Sequence, residues 1–271
     1  MHPDWLIPDW PAPKSVRAVF TTRAGGVSAA PCDSMNLGDH VGDLPAQVEA
    51  NRALLQQAMG NRAVFLKQVH GSEVLELGAA MPDGQQADAC VTAQRKLACT
   101  IMVADCLPVL LTTERGDVVA AAHAGWRGLA GVGGEIRPGR KGVLASVYES
   151  FIAKAGQAQE AIKTIAWLGP CIGPSAFEVG PEVKAAFEST QPEAGRLFLE
   201  IGAGKYLADL PGLARLRLQA LGITQVYGND GSAPWCTVSN PSRFFSHRRD
   251  AGVSGNGFGT TGRMAACIWL D

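Results

Sequence analysis

The sequence predicts an α+β fold in a single domain spanning residues 1–271. Segments of strand character outnumber helical ones, and the two kinds do not alternate as a doubly wound sheet requires. Nothing resembling an interdomain linker, internal repeat or low-complexity stretch divides the chain.

Taken in order, residues 16–22 form an apolar strand that runs into a glycine-rich turn, RAGGVS at 23–28. Residues 44–59 carry helical periodicity, with Gly60 as the stop. Strands are predicted at 64–69, 87–92, 98–103, 109–112 and 118–122. Several of these are almost wholly apolar, which predicts burial on both faces. Helices follow at 143–155 and 181–189, and a strand at 164–168 leads into GPCIGP at 169–174. An amphipathic helix at 210–221 and strands at 224–227 and 264–269 complete the chain. The stretch GVGGEIRPGRKG at 131–142 is glycine-rich and basic, a solvated surface loop or a flap over a neighbouring site.

Composition narrows the function classes. The 271 residues are 46% hydrophobic and 18% charged, ordinary for a globular protein. A chain of this length buries roughly 75% of the surface its unfolded form exposes, so it needs no staple. The 24 basic and 25 acidic side chains leave a formal charge of -1, which argues against nucleic-acid and membrane-surface partners. Small anions stay open, because a few local arginines suffice for them. Seven cysteines without a C-x-x-C pair suggest reduced thiols rather than a disulfide framework. The first residues carry no basic-then-apolar leader pattern, and the apolar run near 99–113 is interrupted by Asp105 and Pro108. A cytoplasmic location is expected.

Three short motifs bring chemistry to strand ends: KQVHG at 67–71, ADCLP at 104–108 and AHAGWRG at 122–128. Each sets a metal-binding side chain beside glycine or proline, where the backbone turns. His70, Cys106 and His123 would suit tetrahedral zinc with the fourth position open, the catalytic pattern. Spacings of 36 and 17 residues match no zinc finger. Taken singly, a histidine at a strand end is usually structural and an apolar cysteine usually core. Two alternatives stay open. Cys106 and His123 could be a metal-free nucleophile and base. Two His and one Cys are also the equatorial set of a blue-copper site, with Met102 nearby. Five histidines, two already used, cannot supply the further cluster that a multicopper oxidase needs.

These motifs, together with TTRAGGVS at 21–28, MNLGDHVG at 35–42, GPCIG at 169–173 and SHRRD at 246–250, resemble the YfiH family. It is also called the laccase-domain or multicopper polyphenol oxidoreductase family. The matching pieces span nearly the whole chain in order. The resemblance implies a β-sandwich-like core flanked by helices and strengthens the zinc set, with Cu2+ as the other candidate ion. It implies a purine nucleoside phosphorylase acting on adenosine, inosine and methylthioadenosine, with adenosine deaminase activity alongside. Some bacterial relatives are linked to peptidoglycan editing, which keeps open a Cys-His hydrolase or amidase acting on cell-wall precursors. A copper-dependent phenol oxidase is the other alternative. Purine nucleoside and phosphate would be the partners of a monomer or homodimer. The stretch at 131–142 looks like an insertion relative to the family.

For phosphorolysis, arginines suit phosphate because their planar fork binds its oxygens bidentately. Arg127 and Arg23 are the leading candidates, and Arg248 and Arg249 follow, at least one of them pairing with Asp250. Asp105 is a candidate proton carrier or a backbone anchor, and His247 a candidate for orienting base or ribose. Asn36 and His40 are candidate pocket residues, Lys67 and Gln68 candidate supports behind His70, and Trp126 a stacking platform for the purine. Cys171 is expected to pack in its turn.

Overall fold

A computed structural model of the chain describes residues 1–133, 141–156, 162–250 and 260–271. Elements run β1 (Val16–Phe20), α1 (Pro45–Met59), β2 (Arg62–Val64), β3 (Val74–Glu76), β4 (Ala89–Thr92), β5 (Leu97–Val103), β6 (Leu107–Thr113) and β7 (Val119–Ala124). They continue with α2 (Trp126–Ala130), α3 (Val143–Ala155), β8 (Thr164–Leu168), β9 (Glu178–Val179), α4 (Pro181–Glu188), β10 (Phe198–Gly202) and β11 (Lys205–Ala208). The last are α5 (Leu210–Ala220), β12 (Gln225–Gly228), α6 (His247–Asp250) and β13 (Met264–Leu270).

Two sheets stack face to face. One is ordered β1-β13-β5-β2 and the other β12-β8-β6-β7-β4-β3, with a small β10-β11-β9 sheet at the side. Both large sheets are mixed: β2 runs parallel to β5, and β12 and β3 run parallel to β8 and β4, while the remaining pairs are antiparallel. The alternation of side chains explains how the strands came to be uniformly apolar. In β6, Leu110 points into the sandwich against Val119, Ile101 and Trp167, while Val109 and Leu111 point the other way, toward α3 and α5. The outer face of the other sheet, including Val19, Ala98 and Cys267, packs under Leu55 and Met59 of α1. The order of layers is therefore helix, sheet, sheet, helix: an α+β fold with a β-sandwich core flanked by helices.

Helix ends follow the sequence. Pro45 opens α1, and Gly60 closes it in the left-handed region (φ 66°), its N–H returning to Gln56 and Gln57 carbonyls. Gly156 does the same for α3. Of the expected strand at 64–69, only the first residue lies in a continuous ladder, as the end of β2, and Lys67 adds one isolated parallel bridge to Gln86. Beyond Val64 the chain is held by backbone bonds to residues 84–87 and by side chains: Phe65 donates its N–H to Asp83, and the Gln68 amide takes the backbone of Met102 on β5 in both directions, each bond 2.8 Å. Strands β3 and β9–β11 are short and partly exposed, and carried no clear apolar pattern. Of the basic stretch at 131–142, residues 134–140 lie outside the described residues. All seven cysteines are free thiols.

Candidate metal centre

The three expected ligands converge from three segments. His70 lies in the loop after β2, Cys106 in the tight turn from β5 to β6, and His123 within β7, one residue before its end. Their donor atoms all lie within 4.8 Å of one another, with Cys106 Sγ 3.7 Å from His70 Nε2. Tetrahedral zinc, with bonds of about 2.3 Å to sulfur and 2.0–2.1 Å to nitrogen, sets such atoms roughly 3.5 Å apart. The donor set therefore fits an ion of this kind and could hold a metal. Among the described residues it is the one group of its type. No second cluster of histidines accompanies it among those residues.

Two of the turns are strained. His70 and Asp105 both adopt positive φ, 59° and 87°, a conformation that non-glycine residues seldom take. Each is held there by hydrogen bonds. The carboxylate of Asp88, fully buried, accepts the backbone N–H of Val69, His70 and Gly71 at 3.2, 2.8 and 2.6 Å. Its Oδ1 also lies 2.9 Å from His123 Nδ1. A carboxylate only accepts, so Nδ1 carries a proton, and Nε2 is the nitrogen left to face a metal. Burial would raise the Asp88 carboxyl, but the His123 ring and these N–H donors hold it below the usual range.

The charges at the centre pair a thiolate with an imidazolium, so ligation of an ion at His123 would release a proton. Burial pushes the Cys106 thiol up, yet the imidazoles of His123 and His70 overcome that and bring it down to about 6. Burial likewise pushes His123 down, and Cys106 with Asp88 lifts it to about 9. Close packing leaves no room for a side chain beside them. A Cβ on Gly125 would stand 2.9 Å from Cys106 Sγ and 3.0 Å from His70 Cδ2.

A cavity of about 470 Å³ opens over the ligands, within the usual range for small-molecule sites. It brings together His40, Gln68, Asp105, Trp126, Arg127, His247 and Arg248 with the ligands, and adds Met102, Ile172, Phe177, Leu210 and Arg263. Arg127 lies over the Trp126 ring at 4.7 Å. Asp105 is committed: Oδ1 accepts the Thr237 hydroxyl at 2.5 Å and Oδ2 the Arg248 N–H at 2.6 Å. It anchors backbone. Arg249 is spent on Asp250 and three carbonyls.

Arg23, Asn36 and Lys67 do not line the cavity. Arg23 clasps the Asp33 carbonyl and carboxylate and the Pro241 carbonyl, so its fork has no face left for phosphate. Asn36 is wholly buried and bonds Asp43, Gly38 and the Arg263 N–H. Lys67 is exposed, its backbone bridging to Gln86. Asp88 and Arg263 were missed. The signal for Asp88 was an acid entering an otherwise apolar strand, the pattern already noticed at Asp105; Arg263 stands in no motif.

Comparison with known proteins places this architecture. The family model described as multi-copper polyphenol oxidoreductase laccase matches residues 17–271. The chain belongs to this family. Family relatives include a purine nucleoside phosphorylase of Pseudomonas aeruginosa, 45% identical with 98% of each chain covered. Purine nucleoside phosphorylase YfiH of Escherichia coli K12 is 44% identical, again over 98% of each. Among solved structures, a Neisseria meningitidis protein superposes with a TM-score of 0.86 at 45% identity, covering 99% of each chain. Bacillus licheniformis YfiH gives 0.81 at 29% identity, over 94% of this chain and 93% of its own.

Proposed function

We propose that this chain is a zinc-dependent purine nucleoside phosphorylase that cleaves adenosine, inosine and methylthioadenosine, with adenosine deamination as a second activity. The observation that carries this reading is the three-ligand His-Cys-His set, ordered by Asp88 and open to a cavity of nucleoside size. The full-length relatives named as purine nucleoside phosphorylases support it.

Phosphorolysis forms a bond from a phosphate oxygen to the anomeric carbon as the carbon–nitrogen bond breaks, and the purine leaves with the electron pair and takes up a proton. His70, Cys106 and His123 would hold the zinc, which would supply Lewis acidity toward the reacting groups and, for deamination, an activated water. Trp126 and the apolar wall of Ile172, Phe177 and Leu210 offer the purine a surface and exclude water. Arg127, exposed at the cavity beside Trp126, meets the anionic partner on entry. Gln68 fixes the His70 loop onto β5. Because both Asp105 oxygens are occupied, proton transfer falls to His40 or His247, the cavity histidines outside the metal set.

The test is adenine release from adenosine, with and without phosphate, in the wild type and in Cys106→Ala. Phosphate-dependent release that disappears in the variant is expected. Zinc-loaded wild type that releases no adenine would sink the nucleoside reading. Activity without phosphate that survives metal removal but not thiol alkylation would instead identify a Cys106–His123 hydrolase.

A further inference from the structure

Three arginines besides those bound up in the scaffold border the cavity, and they differ in what surrounds their charge. Arg248 spends its guanidinium on the Ala176 and Glu178 carbonyls and lies over Phe177. Arg127 is exposed and lies over Trp126. Arg263 is set deeper. Its Nη1 donates to the Thr261 and Gly262 carbonyls at 2.9 and 3.3 Å, which uses both hydrogens of that nitrogen and fixes the plane of the fork.

Among the described residues, the opposite edge of that fork, Nε with Nη2, has no acceptor, and neither nitrogen is sealed in the interior. That edge is the bidentate one. Among the described residues Arg263 has no carboxylate in salt-bridge contact. Its backbone is fixed through Asn36 Oδ1 at 2.8 Å, and the side chain is backed by Gly38, where a Cβ would come within 2.7 Å of Cγ. Gly38 needs to be small for the guanidinium to lie where it does. His40, two residues on, lines the same cavity.

Charge accounting points the same way. Burial disfavours the charged guanidinium and lowers its pKa, and Cys106 and Asp105 are the anions that offset this most. A divalent ion held by one thiolate and two neutral imidazoles would carry a net positive charge of one and would take Cys106 away as a counter-charge. Next to a loaded centre, a half-buried guanidinium without a carboxylate partner would be costly unless an anion from solvent joined it.

Resting on the phosphorylase reading above, we propose that the Nε–Nη2 edge of Arg263 is the phosphate-binding fork of this site, with His40 beside it. Asn36 and Gly38 position that fork. The purine then lies toward Trp126 and Phe177, and phosphate attacks from the Arg263 side. Arg127 guides phosphate in but does not hold it.

The experiment uses the zinc-loaded full chain, varying phosphate at saturating adenosine in the wild type, Arg263→Gln and Arg263→Lys. Thermal shift with inorganic phosphate is measured in parallel. Loss of a bidentate charged contact is expected to raise KM for phosphate roughly 10- to 100-fold in Arg263→Gln, less in Arg263→Lys, with KM for adenosine unchanged. Phosphate should stabilise the wild type and not Arg263→Gln. An unchanged KM for phosphate in a zinc-loaded Arg263→Gln overturns the assignment, as does a wild type that phosphate does not stabilise. If phosphate stabilises the wild type through Arg263 and no adenine is released, the anion site stands and the phosphorylase reading falls.

Discussion

Three backbone N–H groups and one imidazole converge on the Asp88 carboxylate, so this side chain governs two of the three ligands at once. Its replacement by alanine removes the restraint on the His70 turn and frees the His123 tautomer. Zinc affinity in Asp88→Ala is expected to fall about 10- to 100-fold. Stability should drop by about 3–5 kcal/mol, because a buried ring and three buried donors lose their acceptor. Competition with a chromogenic chelator measures the first and urea titration the second; unchanged zinc affinity would show that Asp88 serves only the fold. The ligands themselves were legible in the sequence because each stands within two residues of glycine or proline near a strand end, in motifs that resemble a known family. Asp88 and Arg263 were not, since their roles come from chain segments tens or hundreds of residues away: Val69–Gly71 for one, Asn36 for the other.

At the scale of elements, the turn from β7 to α2 must pass close under the metal set. Gly125 makes that passage, and a methyl group there would press on Cys106 Sγ and the His70 ring. Gly125→Ala should therefore weaken zinc binding while costing about 1–3 kcal/mol of stability, with the secondary structure intact. A variant that binds zinc as tightly as the wild type would show that the turn yields. Long apolar strands and capped helices were readable from composition and periodicity: β5, β6, β7 and β13, and α1 with its Pro45 and Gly60. The loop at 65–70 was misread as strand because Phe65 and Leu66 are buried and apolar. Burial there comes with one isolated bridge and side-chain pinning and not with a continuous ladder, a distinction that hydrophobicity does not carry. The β9–β11 sheet escaped because Leu199 and Ile201 face outward, against the usual pattern.

For the whole molecule, the core does not depend on the metal. Two sheets and two helical layers bury three hydrophobic clusters, to which, of the three ligands, only Cys106 adds a contact. Chelation should therefore lower Tm through lost binding energy while the far-UV circular dichroism persists. Loss of secondary structure on chelation would make the ion structural instead. Strand pairing was beyond the sequence: that β13 inserts between β1 and β5, and β8 between β12 and β6, is settled by tertiary contact.

The chain crosses from one sheet to the other in the few residues between β5 and β6, and Cys106 lies in that crossing. His123 belongs to the second sheet, while the His70 loop is fastened to β5 of the first by Gln68. The ligand set is thus a rivet through a seam, with each half of the sandwich holding part of it. Anyone transplanting this centre to another scaffold would find no loop to graft; the seam, with its sheet spacing and alignment, would have to travel with it.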